Sequence, residues 1–213
     1  MSKFIIFGTS NFSQMMRFYV EKYTDKKVYS YCVEKAYLTD EEFDGLPLCA
    51  FEDLAGDEYE ILITAGYKEM NDIRKRIFNE SINKKIKIAN FIHPTANLNT
   101  NNIGIGNIFL ENVYIGYNSK IGDGNIFWNG CNISHDNEIG NFNYFSPSSV
   151  SGGNVIIKDN SFMGLNCTLR SGITVEEKTV VGAGVYMYKS SEPLGVYTPS
   201  RCLKLEKNSM QVF

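Results

Sequence analysis

Across most of the C-terminal half of this chain, a large apolar side chain recurs at every sixth residue. Counted from Ile103, the series runs Ile103, Phe109, Ile115, Ile121, Phe127, Ile133, Ile139, Phe145, Ser151, Ile157, Met163, Leu169, Val175 and Val181, and thirteen of these fourteen positions are apolar. Neither a helix, with its turn of about 3.6 residues, nor an alternating hairpin produces such a period. A triangular parallel β-helix does, because each hexapeptide makes one short flat strand plus a corner and three of them complete a coil of about 18 residues. The large side chain fills the interior. The residue two places before it is mostly small or β-branched, as at Val113, Ser119, Cys131, Ser149, Val155, Ser161, Cys167 and Val185. Glycine follows the interior residue at 104, 116, 122, 140, 152, 164 and 182, and with the frequent Asn it is expected to permit the tight corners. The known form of this helix is left-handed, an exception to the usual crossover rule.

The first part of the chain has a different period. KFIIF (3–7) is a short apolar run ending in Gly8, followed by Phe12, Met15, Met16, Tyr19 and Tyr23 at helical spacing. VYSYCV (28–33) ends at Glu34, and YEILITA (59–65) ends at Gly66 before a stretch carrying Met70, Ile73 and Ile77. Strands interleaved with helices predict a small parallel sheet with a Rossmann-like βαβ start. The expected organisation is therefore α/β plus all-β, with a small Rossmann-like unit over 1–88 and a left-handed parallel β-helix with a C-terminal tail over 89–213.

Composition narrows the function. A net charge of -3 and the absence of a continuous Lys/Arg stripe give no footprint for nucleic acid, and KKIK (84–87) reads as a solvated turn. No apolar run approaches the length of a membrane span, and MSKFIIFGTS leads straight into the expected first strand, so no membrane insertion and a cytoplasmic location are expected. Five cysteines without a CxxC pair suit reduced thiols, and none has the spacing of a catalytic one. Only two histidines, His93 and His135, are present, too few for a three-histidine zinc site within one subunit, and no metal is expected.

The hexapeptide text, together with FGTSNFS, ITAGYKEMNDIRKRIF, FIHPTANL, SHDNEIG, SGGNV and VVGAGV, resembles the left-handed β-helix acyltransferases. It is most similar to the bacterial sugar O- and N-acetyltransferases that carry a small N-terminal Rossmann-like domain, among them the bacillosamine-pathway N-acetyltransferases and the sialic acid O-acetyltransferases. The resemblance spans about residues 3 to 200. It implies acetyl-CoA as donor, a homotrimer with active sites between neighbouring prisms, and a nucleotide-linked amino sugar or a sialic acid as acceptor. N-acetylation is expected ahead of O-acetylation. A non-catalytic trimeric scaffold is the alternative of a different class, and the carbonic anhydrase relatives of the prism need more histidines than this chain has.

His135 follows the interior Ile133 in ISHDNEIG (133–140), so it falls at or next to a corner, where an imidazole can point into a groove or merely face solvent. The scarcity of histidine and the adjacent carboxylate favour chemistry. Acetyl transfer from a thioester needs an acceptor that loses a proton as it attacks, and imidazole is the side chain whose ordinary titration lies nearest neutral pH. The resemblance implies His135 as general base and Asp136 as the group that holds its tautomer.

SGGNV (151–155) is the expected oxyanion and pantetheine segment, with Gly153 against the cofactor; a bulge or plain corner is the other reading. The resemblance adds Gly164, Leu165 and the Gly182-Ala183-Gly184 loop to the CoA arm. Tyr144 stands where many relatives have a second histidine, and TPSRC (198–202) replaces a longer C-terminal segment of the CoA site. Trp128 is expected outside the prism, against a neighbouring subunit. In the N-terminal unit, relatives that hold a sugar nucleotide carry a GxxGxG turn, whereas Gly8-Thr9-Ser10-Asn11-Phe12-Ser13 keeps only the first glycine. Substrate binding there would fall to Gly8, Ser10, Glu34, Gly66 and Tyr67 at the strand ends, and a packing unit is the alternative. His93 is expected to make a structural hydrogen bond.

Overall fold

The computed structural model describes residues 2–200 and Glu206. Its first layer is a six-stranded sheet made of β1 (Lys3–Phe7), β2 (Val28–Val33), β3 (Glu42–Phe43), β4 (Leu46–Ala50), β5 (Tyr59–Ile63) and β6 (Lys87–Ile88), in the order β3-β4-β2-β1-β5-β6. All pairs are parallel except β3 with β4. Helix α1 (Asn11–Tyr23) buries Met16 and Val20 on one face, and α2 (Asp72–Asn83) buries Ile77 and Phe78 on the other. The sequence marks β1, β2, β5 and α1 through their apolar spacing. β3, β4 and β6 are too short or too mixed to carry a period.

The stretch after β5 departs from the helical expectation. Glu69, Met70 and Asn71 have φ of 52°, 48° and 66°, so three consecutive non-glycine residues are left-handed and α2 starts only at Asp72. Such a conformation costs roughly 1–2 kcal/mol per residue. It is held from the other layer: Asn160 Nδ2 donates to the Met70 carbonyl at 2.9 Å and Lys178 pairs with Asp72 at 2.6 Å.

From Phe91 to Tyr197 the chain winds as two-residue strands in three parallel sheets. Between Ile108 and Met187 paired strands lie 18 residues apart, as Tyr114 with Asn132 and Ile126 with Tyr144, whereas the end strands pair at 17 (Phe91 with Ile108) or 16 (Val180 with Val196). From Phe109 to Met187 the second residue of each strand is buried inside, where Phe109, Phe127 and Phe145 stack with centroids 4.9 and 4.5 Å apart. Each such ring contributes about 1.5–3 kcal/mol by burial and each stacked pair about 0.5–1.5 kcal/mol more. Ser151, the break in the series, also lies inside at 1% exposure, with no hydrogen-bond partner for its hydroxyl among the described residues.

The glycines after the interior residues are not the corners. A Cβ at Gly116 would stand 2.5 Å from the carbonyl carbon of Ser134, and one at Gly164 2.6 Å from the amide nitrogen of Ala183, so their role is to let one coil rest on the next. Positive φ instead recurs every sixth residue from Gly106 (73°) to Gly184 (70°), three residues past each interior position. Asn occupies that column at 112, 118, 154, 160 and 166, and Asp136 belongs to it at 56°. Asn and Asp tolerate this conformation because a short polar side chain bonds locally.

One face of the coil carries the first layer. There the outward residues Ile108, Ile126 and Tyr144 are buried against Phe4, Ile6, Met16 and Val20. Arg74 pins the contact. It is 1% exposed, and all its donors go to uncharged oxygens: Gly124 O, Ala65 O, Gly66 O, Asn71 Oδ1, Phe142 O and Asn143 O, at 2.8–3.1 Å. Phe142, left-handed at 56° and 5% exposed, inserts against Phe78 of α2. Among the described residues no helix is long and apolar enough to cross a membrane.

Candidate active site

The residues singled out by sequence fall on two edges of the three-sided coil. His135 and Asp136 occupy the corner between Asn132–Ile133 and Glu138–Ile139. His135 Nδ1 lies 2.8 Å from Asp136 Oδ2, and the imidazole is 61% exposed. A carboxylate accepts only, so Nδ1 carries the proton and Nε2 keeps its lone pair. Asp136 is held in turn: Asn118, one coil earlier in the same left-handed column, donates to its other oxygen at 2.7 Å. The Asn118 bond, and then the His135 bond, keep the Asp136 carboxyl below the usual carboxylate range. Asn118 is absent from the sequence reading, although its position 18 residues before Asp136 could have revealed it.

Gly153, one coil later, is not merely a flexible corner. A Cβ there would stand 2.6 Å from His135 Cε1 and 2.7 Å from Nε2, so the ring lies across the space a side chain would fill. Asn118 thus holds the carboxylate that orients the imidazole, and the backbone at Gly153 lies against the ring. Gly153→Ala is expected to displace the ring and lower kcat by about a hundredfold, the scale of a misplacement of about 1 Å, with acetyl-CoA affinity within a few-fold; an unchanged kcat would contradict this. Asn118→Asp keeps the tolerance for positive φ but turns a donor into a second carboxylate facing Asp136. It is expected to lower kcat by at least roughly tenfold with little change in melting temperature, and full activity would remove Asn118 from the site.

The second group surrounds the junction with the first layer. Gly8, Ser10, Gly66 and Tyr67 line a cavity of ≈ 460 Å³, whose far wall is Trp128 and Tyr144. Tyr67, Trp128 and Tyr144 continue into an adjoining cavity of ≈ 370 Å³ lined by Ser146, Gly164, Leu165 and Ala183. Tyr144 is 8% exposed and stacks on Phe162 at 5.5 Å, with Tyr67 edge-on at 5.1 Å. Burial pushes its phenol up to about 12, out of the range of a base near neutral pH. Trp128 lies outside the prism as expected, but it packs on Phe12 of its own chain at 5.1 Å.

Other expected residues lie elsewhere. Glu34 is outside the cavity lining, and both its oxygens are bonded by Arg76 at 2.7 and 2.9 Å. Gly182 and Gly184 are not on the lining of the second cavity: a Cβ at Gly182 would stand 2.8 Å from the Tyr197 carbonyl, and Gly184 is a left-handed corner. His93 Nδ1 bonds Thr95 at 2.9 Å, a structural role. Of TPSRC, residues 201 and 202 lie outside the described residues. No group of three or more His, Cys, Asp or Glu arranged to hold a metal ion exists among the described residues.

A family model described as the hexapeptide repeat of succinyl-transferase matches residues 154–189. The fold is similar to that of the acetyltransferase domain of PglB from Neisseria gonorrhoeae FA1090, with a TM-score of 0.79 and 20% identity over 95% of this chain and 100% of that one. It is also similar to a mutant of GDP-perosamine N-acetyltransferase from Caulobacter crescentus in complex with CoA and GDP-perosamine, at TM-score 0.76 and 19% identity over 89% and 90% of the two chains. WeeI from Acinetobacter baumannii AYE gives 0.78 at 16% identity over 92% and 96%. At these identities the likeness is one of fold.

Proposed function

We infer that this chain is an acetyl-CoA-dependent acetyltransferase acting on the amine of a nucleotide-linked amino sugar. The observation that carries the reading is the His135–Asp136 pair, whose Nε2 is free and exposed over Gly153 on a hexapeptide coil. The fold likeness to a GDP-perosamine N-acetyltransferase and to the acetyltransferase domain of PglB supports it. In this reading the first layer is a Rossmann-like unit that holds the nucleotide, and the coil from Phe91 to Tyr197 is left-handed and holds the donor.

Acetyl-CoA supplies the acetyl group as a thioester. His135 Nε2 accepts the proton of the amine as its nitrogen bonds to the acetyl carbon, and that proton is then available to the departing CoA sulfur. Asp136 keeps the imidazole in the required tautomer and stabilises its charged form. The Gly153 N–H, which no group among the described residues accepts, is a fitting donor for the carbonyl oxygen as charge builds on it. Ser146, Leu165 and Ala183 offer the wall for the pantetheine arm.

His135 and the two cavities sit on different edges of one coil, so a site that uses both needs a second copy of the chain. A homotrimer whose neighbouring coils face each other edge to edge supplies that arrangement, with His135 from one subunit and the cavities from the next. Complementation tests it. His135→Ala chains and Ala183→Trp chains, the latter obstructing the donor groove at an exposed position, are each expected to be inactive. Co-assembled, they are expected to regain a measurable share of wild-type turnover, because some clefts then carry two intact halves. Mixed oligomers as inactive as their parents would contradict the shared site.

A further inference from the structure

We propose that the first cavity binds the diphosphate of its nucleotide ligand on a backbone nest formed by the N–H groups of Gly66 and Tyr67, with Lys68 beside it and the buried Arg74 behind. This inference rests on the reading of that cavity as the nucleotide-sugar site. It moves the anion away from the turn after β1, where the sequence would put it.

In the turn after β1 the side chains of Ser10 and Ser13 are turned on each other. Ser13 N donates to Ser10 Oγ at 3.3 Å and Ser10 N donates to Ser13 Oγ at 3.1 Å, a complete capping box at the start of α1. Ser13 Oγ is also 2.8 Å from Thr64 Oγ1, and that hydroxyl donates to Phe7 O at 2.6 Å. The hydroxyls of Ser10, Ser13 and Thr64 are thus bonded in a chain. Gly8, at φ 118°, has no room for a ligand group on that side, since even a Cβ would stand 2.9 Å from both Ser13 Oγ and Thr64 Oγ1.

The loop after β5 is arranged in the opposite way. The carbonyls of Ala65 and Gly66 both accept from Arg74 Nη1, at 2.9 and 3.0 Å. Every peptide bond described is trans, and a trans peptide aims its N–H opposite to its C=O. The N–H groups of Gly66 and Tyr67, which share those two planes, therefore point away from Arg74, and neither meets an acceptor among the described residues. Ala65, Gly66 and Tyr67 all line the cavity. Two successive amides presented together are an anion-binding concavity.

Charge points the same way. The cavity lining contains one cation, Lys68, and no carboxylate. The hydrogen bonds of Arg74 all go to uncharged oxygens, so its charge reaches the cavity along two aligned peptide dipoles with their positive ends outward. The strained turn at Glu69–Asn71 keeps Tyr67 and Lys68 at the rim, where an ordinary helix would have carried them away. Strain retained against such a cost is expected at a ligand site. Phe12, Tyr67, Trp128 and Tyr144 give aromatic faces for the base or sugar.

The test is calorimetric titration of the full chain with UDP, dTDP and GDP, with their uncharged nucleosides, and with inorganic pyrophosphate. Tyr67→Ala and Tyr67→Pro both remove the phenol, but only proline removes the N–H. One diphosphate is expected to bind wild type, at least tenfold more weakly to Tyr67→Pro than to Tyr67→Ala. The two variants should not differ for the nucleoside. Lys68→Gln is expected to weaken diphosphate binding several-fold and Lys68→Arg to restore it. Equal diphosphate affinity in the alanine and proline variants, or no diphosphate binding to wild type, overturns the nest. Pyrophosphate binding as tightly as any nucleoside diphosphate overturns the nucleotide assignment. Acetyl transfer is read separately: a chain that binds diphosphate through Tyr67 N–H yet releases no CoA refutes the acetyltransferase reading and leaves the nest standing.

Discussion

Replacing His135 by asparagine is expected to lower kcat for acetyl transfer by about a hundred- to ten-thousand-fold, the range that a positioned general base contributes. Asparagine keeps the size and polarity of the ring edge facing Asp136 but has no basic nitrogen in the place of Nε2. The Michaelis constants for donor and acceptor should stay within a few-fold, because the cavities lie on another edge of the coil. Steady-state kinetics separates the two effects: a fall confined to kcat marks a group that acts in the transition state, and a rise confined to KM would mark a binding residue. A variant that retains most of its kcat would remove His135 from the chemistry.

The second large effect concerns Arg74. Its methylene stem could be mimicked by methionine, but Arg74→Met removes the donor to five backbone carbonyls; Asn143 O keeps the Ile126 N–H and Ala65 and Gly66 border a cavity, while Gly124 O and Phe142 O are left without a donor, at about 1–3 kcal/mol each when buried. Against that loss stands the relief of burying a guanidinium, a cost large enough to draw its pKa down to about 9. Several lost bonds outweigh one desolvation, and a net destabilisation of about 3 kcal/mol is expected. For a chain of this size that corresponds to a fall in Tm of roughly 6–12 °C. Arg74→Lys should recover only part of it, since an ammonium cannot span carbonyls from Ala65 to Asn143. A Tm within about 2 °C of wild type, the shift expected from no more than about 1 kcal/mol, would mean that the layer-to-coil contact does not depend on this side chain.

The period of the coil was open to reading because every rung must fill the same interior with one side chain. A single substitution in the series, Ser151, still left thirteen positions to count. The corners were harder. Glycine draws the eye as a turn former, yet at 116 and 164 it answers to the neighbouring coil, and the left-handed residues follow three places after the interior one. The two requirements differ in physical origin and fall in different columns of the same repeat. His135 and Asp136 could be found because one lies beside the other in sequence. Asn118 and Gly153 act on them across coils, and their 18-residue offsets become contacts only when the coil closes.

The first layer shows the limit from the other side. Met70 has the spacing of a helix, but Asn160, Lys178 and Arg74 hold its neighbourhood in a left-handed turn that no local preference would select. Glu34 occupies the strand-end position where an acidic residue would meet a ribose, yet Arg76, 42 residues on, has taken both of its oxygens. In both places a tertiary contact overrides a local signal.

The most direct test is free-CoA release from acetyl-CoA by the purified wild-type chain, offered nucleotide-linked amino sugars and the matching nucleotide sugars that carry hydroxyl in place of the amine. Acetyl-CoA turnover that requires the amine, with an acetamido product, is the result expected of a nucleotide amino-sugar N-acetyltransferase. Turnover only with hydroxyl acceptors or with free sialic acid would contradict the N-acetyl assignment, and a chain that neither releases CoA with any acceptor nor binds acetyl-CoA would contradict acetyl transfer altogether.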